Sequence, residues 1–293
     1  MQARLLCIAL IGRYMSPGIG DSLLGLGRFL ASRGIEVLVE GETAGTIQDN
    51  PFEAADYASI GARAQLAVVL GGDGTMLHAA RRLAESGVAL VGVNQGRLGF
   101  MTDIALARMY EGMDAILNGE YSSEQRLLLE ADLIRAGEHI WRSLALNDVV
   151  VNKGAVGRMI EFQVHIDGEF VYDQSSDGLI VATPTGSTAY SLSANGPILH
   201  PKMPGFTLVP LCPHALSNRP IAVSDEAVIQ IVLLSGVDAR VHCDGQNRFD
   251  LQPGDRVTIC RSPHSIRFLH PPGYSYYAML REKLHWSEAP RVR

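Results

Sequence analysis

Hydrophobic residues in the first part of the chain fall into short, continuously apolar runs that are separated by helical patterns. Leucine and phenylalanine recur at helical spacing over residues 23–30. A second helical pattern follows the glycine-rich residues 71–74, and a third covers residues 104–117. Continuously apolar strands that alternate with helices predict a parallel sheet that is covered on both faces. The predicted strands are residues 4–11, 35–39, 66–70 and 88–93.

From about residue 120 the pattern changes to short strands and turns. The dipeptide Asp167-Gly168 follows an alternating stretch at residues 159–166, which is typical of a β-hairpin. Regularly spaced short strands favour an antiparallel, sandwich-like domain. The other predicted strands are residues 127–134, 144–151, 170–172, 179–182, 228–234, 240–243, 256–260 and 265–269.

These patterns predict two domains, which suits a chain of 293 residues. The first is an α/β domain over residues 1–120. The second is an all-β domain over residues 121–271. A helix predicted at residues 274–284 lies in the C-terminal segment 272–293, which we expect to return to the first domain.

Composition narrows the possible classes of function. Hydrophobic residues make up 47% of the chain and charged residues 19%, which is typical of a globular protein. A formal net charge of −6 and a pI near 5.8 argue against a nucleic-acid partner. No apolar run approaches the ~20 residues that span a bilayer, so no membrane partner is expected. The four cysteines are far apart, which indicates buried free thiols in a reducing, cytoplasmic location.

Residues 71–75, Gly-Gly-Asp-Gly-Thr, join a predicted strand to a predicted helix, for which Thr75 is a plausible N-cap. Such a turn brings backbone N–H groups and the positive end of a helix towards an anionic ligand. The lysine of a P-loop and the third glycine of a dinucleotide fingerprint are both missing. Spacing alone therefore leaves two interpretations: a phosphate-binding turn, or an ordinary turn in which Asp73 caps the helix.

Ligands of parallel sheets bind beyond the carboxyl ends of the strands, and residues 71–75 and 94–99 follow two such ends. In phosphoryl transfer, a carboxylate such as Asp73 can accept the proton of the attacking hydroxyl, because it is ionised at neutral pH. An alternative role for Asp73 is binding Mg²⁺ through water, and the sequence does not separate the two. Mg²⁺ and backbone N–H groups can replace the missing lysine, but no metal ligands are assigned.

Two stretches of the second domain are polar where a core strand is expected. Residues 183–197 are rich in hydroxyl residues, glycine and proline, with Tyr190 as the aromatic residue. This composition suits hydrogen bonding to a sugar or a base, and it is also that of a surface loop. Asn147 and Asp148 interrupt the predicted apolar strand 144–151. Buried polar residues need partners, which either a ribose diol or a half-buried strand edge would supply.

Together these stretches resemble the NAD kinases, which transfer the γ-phosphoryl group of ATP to the 2′-hydroxyl of the adenosine ribose of NAD. The resemblance runs from the first strand to at least Gln246. Diacylglycerol-kinase-like lipid kinases and phosphofructokinases carry close variants of the Gly-Gly-Asp-Gly-Thr turn, whereas its combination with Thr-Pro-Thr-Gly-Ser-Thr-Ala-Tyr at residues 183–190 is highly specific. Further matching blocks are Asn147-Asp148, Asp177-Gly178, residues 194–197, residues 211–216 and residues 244–246.

The resemblance implies a role for each matching position. Asp73 would accept the proton of the ribose hydroxyl, and Gly74 would lie against the dinucleotide. Asn147 and Asp148 would bind the adenosine part or its ribose, although many members carry the longer glutamate where this chain has Asp148. The rest of the phosphate turn is Gly71, Gly72 and Thr75. The remaining NAD-binding positions are Arg158, Asp177, Thr188, Ala189, Tyr190, Ser191, Leu192, Ser193 and Asn247.

The resemblance also implies ATP as the phosphoryl donor, a divalent metal ion such as Mg²⁺, and a homodimer or homotetramer. Two alternatives come from other classes of protein. One is a diacylglycerol or sphingoid lipid kinase with the same turn, which the absence of a basic amphipathic surface disfavours. The other is a non-catalytic dinucleotide-binding regulatory module, which would need no acid in the phosphate turn. No role is assigned to Ser175.

Overall fold

The structure, a computed structural model, describes residues 5–12, 18–96, 99–154, 158–215 and 217–286. The chain divides into two compact units. Unit 1 comprises Met1–Glu124 and Arg267–Arg293, and unit 2 comprises Gln125–Ile266. The two units are described separately below.

The secondary-structure elements are numbered in chain order. The strands are β1 (Cys7–Gly12), β2 (Glu36–Glu40), β3 (Glu53–Ala55), β4 (Leu66–Leu70), β5 (Ala89–Asn94), β6 (Ile104–Ala105), β7 (Ser122–Arg135), β8 (Glu138–Ala145), β9 (Asp148–Lys153), β10 (Ile160–Ile166), β11 (Glu169–Ser176), β12 (Gly178–Ala182), β13 (Gly205–Leu211), β14 (Ile221–Ser224), β15 (Ile229–Ser235), β16 (Ala239–Cys243), β17 (Asn247–Asp250) and β18 (Arg256–His270). The helices are α1 (Ile19–Ala31), α2 (Gly41–Gly45), α3 (Tyr57–Arg63), α4 (Asp73–Leu83), α5 (Met109–Leu117), α6 (Tyr190–Ser193) and α7 (Tyr276–Leu284), with 3₁₀ turns at Leu106–Arg108 and Gly186–Thr188.

Unit 1 contains a parallel sheet in the order β3-β2-β1-β4-β5. The end of β18 continues this order, because Phe268 pairs in parallel with Leu90 of β5. Every residue of β4 and β5 is buried, which explains their continuous apolar runs. The apolar faces of α1 and α5 pack against this sheet in one core cluster. The predicted parallel α/β sheet is therefore confirmed.

Unit 2 is built from antiparallel strands. One sheet has the order β14-β13-β12-β9-β16-β17, and a second group has the order β11-β10-β15-β18, with β7 joining β18 to β8. Side chains of both groups share one core cluster, including the fully buried Phe162 and Phe206. Burying a side chain of this size contributes about 1.5–3 kcal/mol. The predicted antiparallel, sandwich-like domain is confirmed.

The hairpin between β10 and β11 forms as predicted. Asp167 and Gly168 have φ angles of 52° and 82°, which are the left-handed values that a tight two-residue hairpin turn requires. The side chain of Asp167 also accepts a hydrogen bond from Val228 N at 2.8 Å, which ties the turn to the residue before β15.

Several predicted elements have different bounds in the structure. The helix predicted over residues 104–117 begins only at Met109, because Ile104 and Ala105 pair with β5. The helix predicted from residue 274 begins at Tyr276. The strands predicted at 256–260 and 265–269 form the single strand β18, in which Pro263 is exposed. The elements that the sequence pattern missed are β3, β6, β8 except for its last two residues, β13, β14, β17, α2, α3 and α6.

Local capping explains one of the missed helices. Helix α2 contains two glycines, which disfavour a helix, but the Glu40 side chain accepts hydrogen bonds from Glu42 N at 3.0 Å and Thr43 N at 2.9 Å.

The prediction of four buried thiols is wrong for Cys212, which is exposed, while Cys260 is partly buried. Within the described ranges, none of the helices combines the length and apolarity that crossing a bilayer requires.

Gly178, the first residue of β12, generates a prediction for stability. Its φ is 155°, and a Cβ there would overlap Val151 O and lie 2.8 Å from Asn152 Cα. Gly168 also has a positive φ, but nothing lies within 4 Å of its Cβ position. We expect Gly168→Ala to lower the free energy of unfolding by about 1 kcal/mol and Gly178→Ala by about 2–4 kcal/mol. Urea titrations measure both values, and equal losses would contradict this explanation.

Candidate active site

The Gly-Gly-Asp-Gly-Thr turn lies at the carboxyl end of β4, next to the carboxyl end of β5. Gly71 N donates a hydrogen bond to Val93 O at 2.9 Å, which ties the turn to the neighbouring strand. The N-cap of α4 is Gly72, and α4 begins at Asp73. The prediction of Thr75 as the N-cap is therefore wrong: Gly72 adopts an extended conformation, and its carbonyl already accepts the hydrogen bond of Met76 N at 3.2 Å. Gly74 is the exposed second residue of α4.

The Asp73 side chain does not cap α4, so the alternative of an ordinary capping aspartate is also wrong. Its carboxylate instead accepts hydrogen bonds from the segment that follows β5. Phe100 N donates to Oδ2 at 2.9 Å, and Met101 N donates to Oδ1 at 3.1 Å. Oδ2 can accept a further hydrogen bond, so the fixed carboxylate can still receive a hydroxyl at that oxygen.

The segment that holds Asp73 is itself tied to β5. Thr102 is fully buried, its Oγ1 lies 3.4 Å from Asp73 Oδ1, and it accepts a hydrogen bond from Asn94 Nδ2 at 2.8 Å. Asn94 is the last residue of β5, and its Oδ1 accepts the hydrogen bond of Gly96 N at 2.6 Å. Residues 97 and 98, part of the predicted stretch 94–99, lie outside the described residues. The sequence placed this stretch beside the turn but did not predict these bonds.

The position of Gly99 beside Asp73 generates a second prediction. A Cβ at Gly99 would overlap Asp73 Oδ1 and lie 2.7 Å from Asp73 Cγ. At Gly96, the nearest atom to an added Cβ is Asn94 Oδ1 at 3.9 Å. We expect Gly99→Ala to displace the carboxylate and to lower turnover by about tenfold or more, because small displacements of a reacting group are costly. Gly96→Ala is the matched control, and equal turnover of the two folded variants would contradict the prediction.

Four of the predicted positions line one cavity of about 410 Å³ in unit 2: Asn147, Asp148, Ala189 and Tyr190. The side chain of Tyr190 is exposed, and partial burial raises the pKa of its phenol, so it remains a hydrogen-bond donor at neutral pH. The cavity is completed by Val150, Asn152, His242, Asp244 and Gly245.

Asn147 lies in a bend between β8 and β9, so the prediction of one strand over residues 144–151 is wrong. The Asp244 carboxylate replaces the strand pairing, because it accepts hydrogen bonds from the backbone N–H groups of residues 146–148. The distances are 3.1 Å from Leu146 N, 2.7 Å from Asn147 N and 3.2 Å from Asp148 N.

The carbonyl groups of the same bend also have partners. Leu146 O accepts the hydroxyl of Thr183 at 2.6 Å, and Asn147 O accepts Thr183 N at 2.9 Å. Asp148 O accepts Asp244 N at 2.9 Å. Because the backbone is satisfied, the bend is held rigidly and the side chains of Asn147 and Asp148 line the cavity. Asp244 and Thr183 were noted in matching blocks of the sequence but were given no such role.

The environment of the cavity favours neutral side chains. Burial raises the pKa of the Asp148 carboxyl to about 7, and the charge of Asp244 adds to the rise. Burial, with smaller effects of Arg240 and Arg248, lowers the pKa of His242. A cavity with this electrostatic character suits an uncharged base or ribose better than a phosphate.

The raised pKa of Asp148 makes stability depend on pH. In the unfolded chain this carboxyl has an ordinary pKa near 3.8, whereas in the folded protein it keeps its proton up to a pH of about 7. The folded state therefore has its full stability below pH 3.8, and it loses part of that stability as the pH rises through about 7. We therefore expect Asp148→Asn to raise the Tm more at pH 8 than at pH 5, by several degrees. Asp173→Asn, at an exposed position of β11, is the control. A Tm difference that is independent of pH would contradict the prediction.

The other predicted positions lie outside the lining of this cavity. Arg158 and Ser193 are exposed, Leu192 is partly buried and Ser191 is fully buried. Thr188 Oγ1 donates to Thr185 O at 3.2 Å. Asn247 Nδ2 donates to Ser143 Oγ at 3.2 Å. Asp177 forms an ion pair with Lys153 Nζ at 2.8 Å.

Side chains that could supply a metal site do not cluster in the described part of the chain. No group of three or more histidine, cysteine, aspartate or glutamate residues there has the geometry to hold an ion.

Family models match both parts of the chain. Residues 8–121 match the ATP-NAD kinase N-terminal domain, and residues 146–271 match the ATP-NAD kinase C-terminal domain. An NAD kinase of Aromatoleum aromaticum is 59% identical over 97% of this chain and 95% of its own length. An NAD kinase of Chromobacterium violaceum is 53% identical over 96% of this chain and 97% of its own length.

Solved structures share the fold. A yeast NADH kinase complexed with NADH superposes with a TM-score of 0.91 at 25% identity, over 100% of this chain and 91% of that one. An NAD kinase from Archaeoglobus fulgidus in complex with ATP has a TM-score of 0.74 at 25% identity, over 96% of this chain and 99% of that one.

The fold and the matches place the chain among the phosphotransferases that use a nucleotide as phosphoryl donor. The chain belongs to the NAD kinase family. Its activity is the ATP-dependent phosphorylation of NAD to NADP. The resemblance noted in the sequence is therefore confirmed, and the alternatives of a lipid kinase and of a non-catalytic module are set aside.

Proposed function

We propose that Asp73 accepts the proton of the 2′-hydroxyl of the adenosine ribose as the phosphoryl group is transferred. Phosphoryl transfer needs positioning and neutralisation of charge more than covalent help from the protein. The attacking hydroxyl must also lose its proton, and a carboxylate can orient this hydroxyl and accept that proton.

The observation that carries this proposal is the pair of backbone N–H bonds to Asp73 from Phe100 and Met101. These bonds hold both carboxylate oxygens, and because the Thr102 hydroxyl also donates to Oδ1, the acceptor position left for the ribose hydroxyl is on Oδ2. The side chain also lies in the first turn of α4, at the positive end of the helix, where an anion is favoured. Nothing lies within 4 Å of the Cβ position of Gly72, which leaves the backbone there open to a phosphate, and Gly71, Gly74 and Thr75 complete the turn.

The unit 2 cavity is proposed to bind the nucleoside part of NAD. Asn147 and Asp148 offer an amide and a carboxyl from a rigid bend, and Tyr190 offers an exposed ring for stacking on a base. Ala189 also lines this cavity, and the proposed further contacts outside its lining are Arg158, Asp177, Thr188, Ser191, Leu192, Ser193 and Asn247. Support for these is the match of their sequence blocks to the family.

The divalent metal, Mg²⁺, is proposed to enter with ATP and to neutralise charge on its phosphates. The carboxylate of Asp73 is the candidate protein group that would contact this Mg²⁺ through water.

We also propose that the two domains have different roles. The α/β domain, residues 1–120 with the returning segment 272–293, would bind nucleotide and phosphate, and residues 121–271 would bind NAD. A homodimer or homotetramer is proposed from the family, and a cytoplasmic location from the four free thiols.

The variant Asp73→Asn tests the proton-acceptor role. The amide keeps the size of the side chain and one acceptor oxygen, but it cannot take a proton. We expect turnover to fall by about a hundredfold or more while the Tm is unchanged. The protein is incubated with ATP, Mg²⁺ and NAD, and the NADP formed is measured with an NADP-specific dehydrogenase.

Asp21→Asn is the matched control, because Asp21 also lies in the first turn of a unit 1 helix but is exposed. We expect Asp21→Asn to form NADP at the rate of the parent protein. Near-normal turnover in folded Asp73→Asn would refute the proton-acceptor role. A parallel incubation with diacylglycerol checks the acceptor class, and phosphorylation of the lipid without any NADP would overturn the assignment of NAD as acceptor.

A further inference from the structure

A buried histidine of unit 1, His270, lies between two carboxylates that no role described above uses. Its Nδ1 lies 2.9 Å from Asp103 Oδ2, and its Nε2 lies 3.5 Å from Glu124 Oε2. The exposed fractions of the three side chains are 2%, 6% and 8%, respectively. The imidazole also stacks on the ring of Tyr274, with the centroids 3.7 Å apart. The bond to Asp103 and the stacking on Tyr274 hold the imidazole in place.

Asp103 connects this cluster to Asp73. It directly follows Phe100, Met101 and Thr102, the residues whose N–H and hydroxyl groups contact the Asp73 carboxylate. After Asp103 the chain enters β6, where Ile104 pairs with Val93. The segment is therefore tied to β5 through Asn94 and Thr102, and to the end of β18 through Asp103 and His270.

The carboxylate of Asp103 depends on this histidine. Among the residues that the structure describes, its Oδ1 is buried and accepts no hydrogen bond, so the group depends on the bond between Oδ2 and His270 Nδ1. A buried carboxylate that loses its hydrogen bond is strongly disfavoured and moves towards water. Such a movement of Asp103 would displace the adjacent Met101 and Phe100 N–H groups from Asp73.

We propose that His270 is a positioning residue for phosphoryl transfer, which acts through Asp103 to hold the residue 100–102 segment against Asp73. This inference rests on the proposed function of Asp73. His270 touches neither substrate in this role. It sets the position of the proton acceptor, and it should therefore affect kcat rather than the binding of NAD.

The two nitrogens of the imidazole allow a sharp comparison of variants. In His270→Asn, the shorter side chain places its amide nitrogen near the position of Nδ1 and retains a donor for Asp103. In His270→Gln, the longer side chain places its amide nitrogen near the position of Nε2 and retains a donor for Glu124 instead. His139→Gln is the control, because the His139 side chain is 74% exposed.

We expect His270→Gln to lower kcat by about tenfold or more, with KM for NAD changed by less than about twofold. His270→Asn should stay within about threefold of the parent kcat, and His139→Gln should match it. A merely structural role would not distinguish the Asn variant from the Gln variant in this way.

Amide hydrogen exchange gives a readout that does not depend on activity. The amides of Phe100 and Met101 are bonded to Asp73. They should exchange faster in His270→Gln than in the parent protein, and at the parent rate in His270→Asn. If His270→Gln does not fold, Asp103→Asn replaces it, since weakening the same bond from the other side should also lower kcat.

The inference is overturned if His270→Gln or its replacement keeps the parent kcat, if the Asn and Gln variants lose activity equally, or if exchange at residues 100 and 101 is unchanged. Failure of all these variants to fold also overturns it, because His270 would then serve stability alone. An active Asp73→Asn variant would overturn the proposed function itself. If Asp73→Asn is inactive while His270→Gln is fully active, only the role of His270 fails.

Discussion

Carboxylates that are buried or partly buried must find hydrogen-bond donors, and this requirement shapes the proposed functional parts of both units. In unit 1, the Asp73 carboxylate accepts two backbone N–H groups from the segment after β5. In unit 2, the Asp244 carboxylate accepts three backbone N–H groups from the bend that carries Asn147 and Asp148. Each carboxylate thus fixes a piece of irregular backbone that no sheet or helix would otherwise hold.

The two units present different electrostatic environments. Asp73 lies at the positive end of α4 among backbone donors, and this surrounding favours negative charge. The unit 2 cavity does the opposite, because burial raises the pKa of Asp148 and lowers the pKa of His242. This contrast supports the proposal that the Asp73 turn meets the phosphates of ATP and that the unit 2 cavity binds the nucleoside part of NAD.

Local patterns in the sequence correctly predicted the elements whose residues all have the same environment, such as strands that are buried on both faces. Strands β4 and β5 are buried on both faces, so their apolar runs were unambiguous. The Asp167-Gly168 turn was also predictable, because its backbone geometry is a local property. Prediction was wrong where distant residues decided the structure: Ile104 pairs with β5 instead of starting a helix, and Asn147 bends because Asp244 holds it.

The sequence by itself determined the class of fold, the glycine turn with its acid, and, through the specific combination of motifs, the resemblance to NAD kinases. Only the tertiary structure decided what supports those residues. Asp244 is 97 residues from Asn147 in the chain, and His270 is 167 residues from Asp103. Hydrogen bonds over such separations leave no periodic pattern, because each depends on where folding brings two single side chains.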